Sequence, residues 1–543
     1  MSNAYFQIPQ PYNEPIRSYA PGTPERQALK NKLAELKSQQ IEIPMIIGGK
    51  EITNGDTAEL RVPHNHDLTL GVYHKADKKE VEMAIEAALE ARRDWAQMPW
   101  DQRLSIFLKA ADLLCGSWRT TLNAATILGQ SKTCHQSEIE AIAELADFWR
   151  FNPHYMTQLM QDQPHSPKGT WNRLEYRPLE GFIFAVTPFN FTAIAGNLPT
   201  APAMVGNVVV WKPASSAVYS AYFIMKLLQE AGMPAGVVNF VPGAGSQVGA
   251  AAMAHPELAG IHFTGSTRTF QNMWQMVGDN IHKAKYYPRI VGETGGKDFI
   301  FVHNSADLAG LVVATIRGAF EYQGQKCSAA SRMYIPASIW PAFKKKYVAE
   351  VSQIKMGDPE DFRNFMTAVI DKAAFDSICQ YIDYAKASEE AEIITGGHYD
   401  GSKGYFIEPT TVVTNNPKFK TMEEEIFGPV LTIYVYNDDR FAETLALCDS
   451  TSPYALTGAV WAQDRRALIT MADRLRDAAG NFYINDKPTA AIVNQQPFGG
   501  GRASGTNDKA GSTLNLLRWM TLRAIKETFD PPKDWRYPFM DEK

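Results

Sequence analysis

Residues 207–241 read NVVVWKPASSAVYSAYFIMKLLQEAGMPAGVVNFV, a short apolar run, a helix-length segment and a second apolar run. The middle segment opens on serine at Ser216, is followed by Gly232 and then by Pro234, so a helix over 216–231 carries both start and stop chemistry. Strand, helix, strand is the unit of a parallel sheet. The same texture extends on both sides, with FIFAVT at 182–187 and GIHFT at 260–264, and predicts a doubly wound α/β domain. Upstream, 79–98 and 101–114 read as two helices joined at Pro99, with Val81, Ile85 and Leu89 roughly a turn apart. Downstream, a second alternation starts near Lys297. DFIFV, a helix over 308–322, RMYIP, LTIYVY, GAVWA and NFYIN follow, interleaved with helices such as 464–479. The texture places a boundary near Gly295 and Gly296. The Gly- and Ser-rich residues after Pro497 carry little periodicity and read as a loop or an interface arm.

At about 150 residues per domain, a length of 543 allows three to four domains or two large ones, and the two alternations favour two. An apolar share of 45% with 21% charged residues excludes long disorder, a collagen-like chain and a disulfide scaffold. The 54 basic and 59 acidic side chains leave a net charge of -5, which gives no global attraction to nucleic acid or to an anionic membrane. No apolar run reaches the 18 or so residues a spanning helix needs. The five cysteines include no CxxC pair, which argues for a reducing compartment and against structural zinc, so no metal is expected. The first twenty residues contain one arginine and several prolines, with neither a secretory nor an Arg-rich mitochondrial signal, and a cytoplasmic location is expected.

Three residues stand out for chemistry. Cys327 lies in FEYQGQKCSAASR, where Gly324 permits a sharp turn, Lys326 adds positive charge, and Ser328, Ala329 and Ala330 could open a helix. A thiol at a helix N-terminus beside a cation has its pKa lowered; taken alone, a cysteine reads first as a small core residue, and only its context overturns that. Glu293 lies in RIVGETGGK and could activate water against a thioester formed on Cys327, or be a surface or capping carboxylate. Asn190 follows a predicted strand in TPFNFT, where open α/β sheets place ligand contacts, and its amide N–H could stabilise an oxyanion. It could also be a turn residue; an N-x-T acceptor role is set aside by the expected cytoplasmic location. For a nucleotide, GxGxxG is missing, and Gly243, Gly245 and Gly249 form only a loose cluster. Lys212 and the FTGS run at 263–266 both end strands and could meet ribose and phosphate.

The ordered series TPFNFT, VVWKPA, FTGS, ETGGK, GQKCSAASR and EEIFGPV resembles the aldehyde dehydrogenase superfamily. AAGNFYINDKPT, QQPFGG and RASGTNDKAG narrow the likeness to the branch that oxidises L-glutamate γ-semialdehyde, and it runs from about residue 19 to about residue 529. The resemblance implies a Rossmann-like NAD-binding domain with an N-terminal helical layer at 1–168 and 181–295, and a catalytic α/β domain at 296–495. It also implies a small oligomerisation region at 169–180 and 496–543, with a hairpin near 169–179, and a homo-oligomer based on a dimer. It assigns Cys327 as nucleophile, Glu293 as general base, and Asn190 with the Cys327 backbone N–H as the oxyanion hole. Lys212, Ser266, Gly265, Thr187, Pro188, Glu425 and Phe427 match the NAD site. Phe191 and Phe498 match the walls around the aliphatic chain, Ser328 a hydroxyl contact to the α-carboxylate, and Glu144 a polar pocket contact.

One departure stands at the NDKxT loop. Family members commonly carry glycine after the threonine, where backbone N–H groups hold the substrate carboxylate, and this chain has Ala490 and Ala491 after Thr489. The added methyl disfavours positive φ, so the loop is expected to shift or the pocket to tighten. The implied activity is NAD-dependent oxidation of the semialdehyde to L-glutamate through a cysteine thioester, the second step of proline degradation. A dehydrogenase for another small acidic semialdehyde, a catalytically silent relative and a cysteine hydrolase are the alternatives. Ser215 is small where some NAD-preferring relatives carry an acidic residue, so charge does not exclude NADP.

Overall fold

The structure, a computed structural model, describes residues 4 and 6–541; positions 1–3, 5, 542 and 543 of the expected domain ranges lie outside it. Helix Lys78–Gln97 starts at a capping box. Asp77 accepts from the Lys79 N–H at 2.7 Å and Glu80 from the Asp77 N–H at 2.9 Å, which satisfies donors a helix start leaves unpaired. Val81, Ala84, Ile85 and Ala88 form its buried stripe. Pro99 separates it from Trp100–Cys115. Helices Arg119–Gln130 and Leu145–Met160, linked through the π-helical turn Glu138–Glu144, complete the layer.

This layer shares one apolar core with a seven-stranded sheet. Its strand order is Arg289–Glu293, Leu258–Thr264, Phe182–Val186, Val208–Lys212, Val238–Phe240, Met45–Ile47, Lys50–Ile52. The first five strands run parallel, and Met45–Ile47 with Lys50–Ile52 form an antiparallel edge. The predicted helix over 216–231 spans Val218–Ala231 after a 3₁₀ turn at Ser215–Ala217.

The chain leaves this sheet at Glu293 and enters a second at Asp298. The second has the order Ala391–Thr395, Thr410–Thr414, Val430–Tyr436, Ala330–Pro336, Asp298–Val302, Thr457–Trp461, Asn481–Ile484, parallel except for its first pair. Separate apolar cores lie against its strands. The helix expected over 464–479 stops at Arg474. There the chain turns so that the Gly480 N–H reaches the carbonyls of Ala455 and Leu456.

Beyond Pro497 the chain is more than a loop. It forms helix Thr513–Leu517 and strand Met520–Thr528, and that strand pairs antiparallel with Thr170–Pro178 along its whole length. The hairpin expected near 169–179 is therefore a two-stranded ribbon whose partner comes from the far end of the sequence. Trp171 and Leu522 remain exposed on it, with the Arg173 guanidinium 3.9 Å from the Trp171 ring centroid.

Candidate active site

Two sheet edges meet at the predicted residues. The carboxyl ends of the first sheet supply Asn190 just after Phe182–Val186, Lys212 at the end of Val208–Lys212, Gly265 and Ser266 after Leu258–Thr264, and Glu293 at the end of its own strand. This is where an open parallel sheet presents its loops to a ligand. Cys327 comes from the other side, just before the strand Ala330–Pro336. Its thiol donates to Glu293 Oε1 at 3.0 Å.

The electrostatic expectation for Cys327 is corrected. Ser328 to Ala330 lead into a strand, so no helix N-terminus faces the sulfur. Lys326 Nζ donates to Glu321 Oε2 at 3.0 Å, and its charge is matched there. Burial, and then the Glu293 carboxylate beside it, holds the Cys327 thiol well above its ordinary pKa. Burial also raises Glu293 to about 7, with the thiol hydrogen bond acting in the opposite sense. The pair thus rests as a thiol beside a base poised near neutrality, not as a free thiolate.

The turn before Cys327 is strained. Tyr322, Gln323 and Gly324 take φ of 51°, 55° and 65°; glycine tolerates this region, whereas for the other two it costs roughly 1–2 kcal/mol each. Buried side-chain bonds hold it. Tyr322 OH donates to Gln130 O at 3.0 Å, and Gln323 Nε2 to Thr367 Oγ1 at 2.9 Å and Ala368 O at 2.7 Å. Gln323 Oε1 and Gln325 Oε1 accept from the N–H groups of Thr367 and Ile370. Gln130 in turn brackets Asn190: its Nε2 donates to Phe189 O, and its Oε1 accepts from the Thr192 hydroxyl at 3.0 Å. Asn190 Nδ2 donates to Gln325 O at 3.0 Å, so one amide proton is already engaged by the turn before Cys327. Sequence reading missed Gln130 and Gln323, and no local signal marks them, because their partners lie on other elements.

Near the predicted nucleotide residues, Lys212 is buried, donates to Pro213 O at 3.0 Å, and is lowered to about 8 by burial. Thr187 Oγ1 accepts from the Trp211 indole at 3.0 Å, next to Pro188. Ser266 caps helix Thr267–Asn280, and the Gly265 N–H donates to Glu293 O at 3.2 Å. Glu425 Oε1 accepts from the Gly296 N–H at 3.0 Å, and burial raises this carboxyl to about 7. A Cβ on Gly295 would overlap the Glu425 carboxyl, so the second chain segment can approach only because that position is glycine. Phe427 has φ 57° and packs edge-on against Phe189, with ring centroids 5.8 Å apart. Lys297, inside the ETGGK motif but not singled out from sequence, is fully buried with no hydrogen-bond partner on Nζ, and burial brings it down to about 7.

Of the residues predicted to meet substrate, Glu144 and Phe498 line one cavity together with Glu293, Phe148, Asn197 and Lys509. Burial, reinforced by the Glu140 carboxylate, raises Glu144 to about 8. Phe191, Ser328, Ala490 and Ala491 are not among the residues lining that cavity. The Phe191 ring lies 4.6 Å from the buried Lys132 Nζ, which pairs with Glu140 at 2.6 Å. Ser328 is buried beside Cys327, and Ala490 packs against the core of the second sheet. Among the described residues no cluster of His, Cys, Asp or Glu could hold a metal ion, and no helix is long and apolar enough to cross a membrane.

Residues 52–525 match the model of the aldehyde dehydrogenase family. The chain is 52% identical over 536 residues to a Dictyostelium discoideum protein named delta-1-pyrroline-5-carboxylate dehydrogenase, mitochondrial, covering 98% of this chain and 96% of that one. It is 49% identical to the Bos taurus protein of the same name, covering 97% and 94%. The crystal structure of the Mycobacterium tuberculosis delta-pyrroline-5-carboxylate dehydrogenase bound with NAD superposes with a TM-score of 0.96 at 50% identity, over 100% of both chains. The expected cytoplasmic location is overturned: the D. discoideum, B. taurus, Mus musculus and Homo sapiens relatives are all named mitochondrial. Sparse cysteine and mild charge do not distinguish one reducing compartment from another.

Proposed function

The chain belongs to the aldehyde dehydrogenase family, and from that premise we propose that it oxidises L-glutamate γ-semialdehyde, the open form of 1-pyrroline-5-carboxylate, to L-glutamate with NAD. The observation that carries this reading is the 3.0 Å contact between the Cys327 thiol and Glu293, at the junction of the two sheet edges. The residues present suit the dinucleotide. Lys212 is a buried cation with no carboxylate among its hydrogen-bond partners, at a strand end on the same carboxyl edge of the sheet as the capped helix start at Ser266. Glu425 faces the same junction on the Gly296 N–H.

Glu293 accepts the Cys327 proton, and the thiolate forms a C–S bond to the aldehyde carbon while the carbonyl pair moves onto oxygen. The resulting oxyanion is held by the Asn190 amide and the Cys327 backbone N–H. Lys212, Ser266 and Glu425 would hold NAD, which when bound would supply the acceptor for the hydride leaving this carbon. The restored C=O is a thioester. Once Glu293 has passed the cysteine proton to solvent it removes a proton from water, the hydroxide adds to the thioester carbon, and the C–S bond breaks; the acid released ionises to the carboxylate, and the proton on Glu293 returns to the Cys327 thiolate.

Glu144, protonated near neutral pH, and Phe498 line the cavity that holds Glu293 and would border the aldehyde chain; the family resemblance alone assigns Phe191 and Ser328 to the substrate and turns the Ala490–Ala491 loop to its α-carboxylate. The exposed ribbon of Thr170–Pro178 and Met520–Thr528 supports a homo-oligomer, with domains at 1–168 plus 181–295, 296–495, and 169–180 plus 496–543. Steady-state NADH formation with pyrroline-5-carboxylate, run beside succinate semialdehyde and simple aldehydes, tests the reading. The highest kcat/KM should fall on pyrroline-5-carboxylate; a higher value for succinate semialdehyde would move the assignment to another acidic semialdehyde.

A further inference from the structure

The loop 489–497 follows the last strand of the second sheet, and residues 489–492 have no regular secondary structure. Its internal bonds are few. The Ile492 N–H donates to Gln496 Oε1 at 3.0 Å, and the N–H groups of Gln495 and Gln496 turn back to Ile492 O. Such a segment is placed by what reaches it from outside.

One such contact comes from the other end of the chain. Asn13 Nδ2 donates to Val493 O at 2.9 Å and to Asp147 Oδ2 at 2.7 Å, while its Oδ1 accepts from Gln495 Nε2 at 3.3 Å. The Glu14 N–H donates to Asp147 Oδ1 at 2.7 Å. Asp147 lies on helix Leu145–Met160, one residue before Phe148, which lines the cavity shared by Glu144 and Glu293 and packs against Val493. Asn13 therefore couples the loop to the helix that forms the cavity wall, without touching the cavity itself.

The segment that carries Asn13 is itself held firmly. The Glu14 carboxylate accepts from Arg119 at 2.6 Å and Arg150 at 2.7 Å. Glu138 accepts from the Arg17 N–H at 3.0 Å and from Tyr19 OH at 2.8 Å, and also pairs with Arg119. Charge-assisted bonds between buried partners keep the chain on the helical layer, so Asn13 is a fixed post and not a mobile tail. Its amide meets three different groups at once, and neither alanine nor aspartate can reproduce that set.

We propose that Asn13 is a positioning residue that sets the substrate-carboxylate loop, and hence the preference for acidic semialdehydes over aldehydes without a carboxylate. This rests on the reading above that the loop at Ala490 and Ala491 faces the substrate carboxylate. The test is Asn13→Ala and Asn13→Asp in the full chain, assayed with glutamate semialdehyde and with propanal, which has an aldehyde but no carboxylate. Both variants should raise KM for glutamate semialdehyde about tenfold with kcat within twofold, and leave kcat/KM for propanal unchanged. In Asn13→Ala, the amides of 489–496 should exchange hydrogen faster while those of 321–327 do not. An equal loss on both aldehydes, or no change on either, overturns the proposal while the assigned activity stands. A wild-type enzyme that does not prefer glutamate semialdehyde to propanal overturns the reading of the loop, and the proposal with it.

Discussion

The carboxyl edge of the first sheet and the amino edge of the second both deliver residues to Cys327, but they hold them by different means. Lys212 and Glu293 end strands whose register is set by parallel backbone pairing, Val186 with Lys212 and Thr264 with Glu293. Cys327 instead follows a turn with two non-glycine residues in the left-handed region, kept in place by Gln323, Gln325 and Tyr322 side chains. Backbone ladders tolerate most side-chain changes, whereas a buried polar clamp loses its hold when one member is removed. The edge that carries Cys327 should therefore be the more easily disturbed half of the site.

The largest effect expected is from Cys327→Ala, which should lower NADH formation by about 10⁴-fold or more and leave NAD binding, read by fluorescence titration, intact. Substantial remaining turnover would remove the nucleophile from the second edge altogether. Glu293→Gln should cost on the order of 10²–10³-fold in kcat. It also bears on pH: burial raises Glu293 to about 7, and only the ionised carboxylate can accept a proton. Wild-type kcat/KM should then rise with pH through about 7, and the glutamine variant should lose that limb; a limb that survives belongs to another group.

Gln323→Ala sharpens the contrast between the edges. It leaves the Thr367 N–H without its acceptor and the Ala368 carbonyl without its donor, so stability should fall by roughly 3 kcal/mol and kcat by about tenfold. Denaturant melts and steady-state rates give the two numbers, and a variant with normal kcat would show that the turn needs no clamp. The smallest effect belongs to the ribbon. Arg173→Ala breaks an exposed 2.8 Å pair with Glu527 and should cost less than about 1 kcal/mol in the same melts.

Legibility from sequence follows the same division. Strands such as 182–186, 208–212 and 298–302, and the helices at 78–97 and 100–115, are readable because apolar period, capping residues and turn residues are local properties. The ordered motifs mark Cys327, Glu293 and Asn190 because each lies within a short local pattern, GQKCSAASR, ETGGK or TPFNFT. The state of the thiol was misread, because helix-like composition after Cys327 gave way to sheet pairing of Ala330–Pro336 with Asp298–Val302 and Val430–Tyr436. Gln130 and Asn13 could not be found, since their bonds join residues far apart in the chain.

Two α/β alternations, a helical layer before them and a candidate cysteine with a candidate base are all readable from the chain alone, because periodicity and short motifs are encoded over a few neighbouring residues. Packing of distant segments is what makes the cysteine a buried neutral thiol bonded to Glu293, completes a ribbon between Met520–Thr528 and Thr170–Pro178, and brings Asn13 to the carbonyl of Val493. Burial and long-range hydrogen bonding depend on which surfaces the fold brings together. Those are properties of the packed chain and of no stretch of it alone.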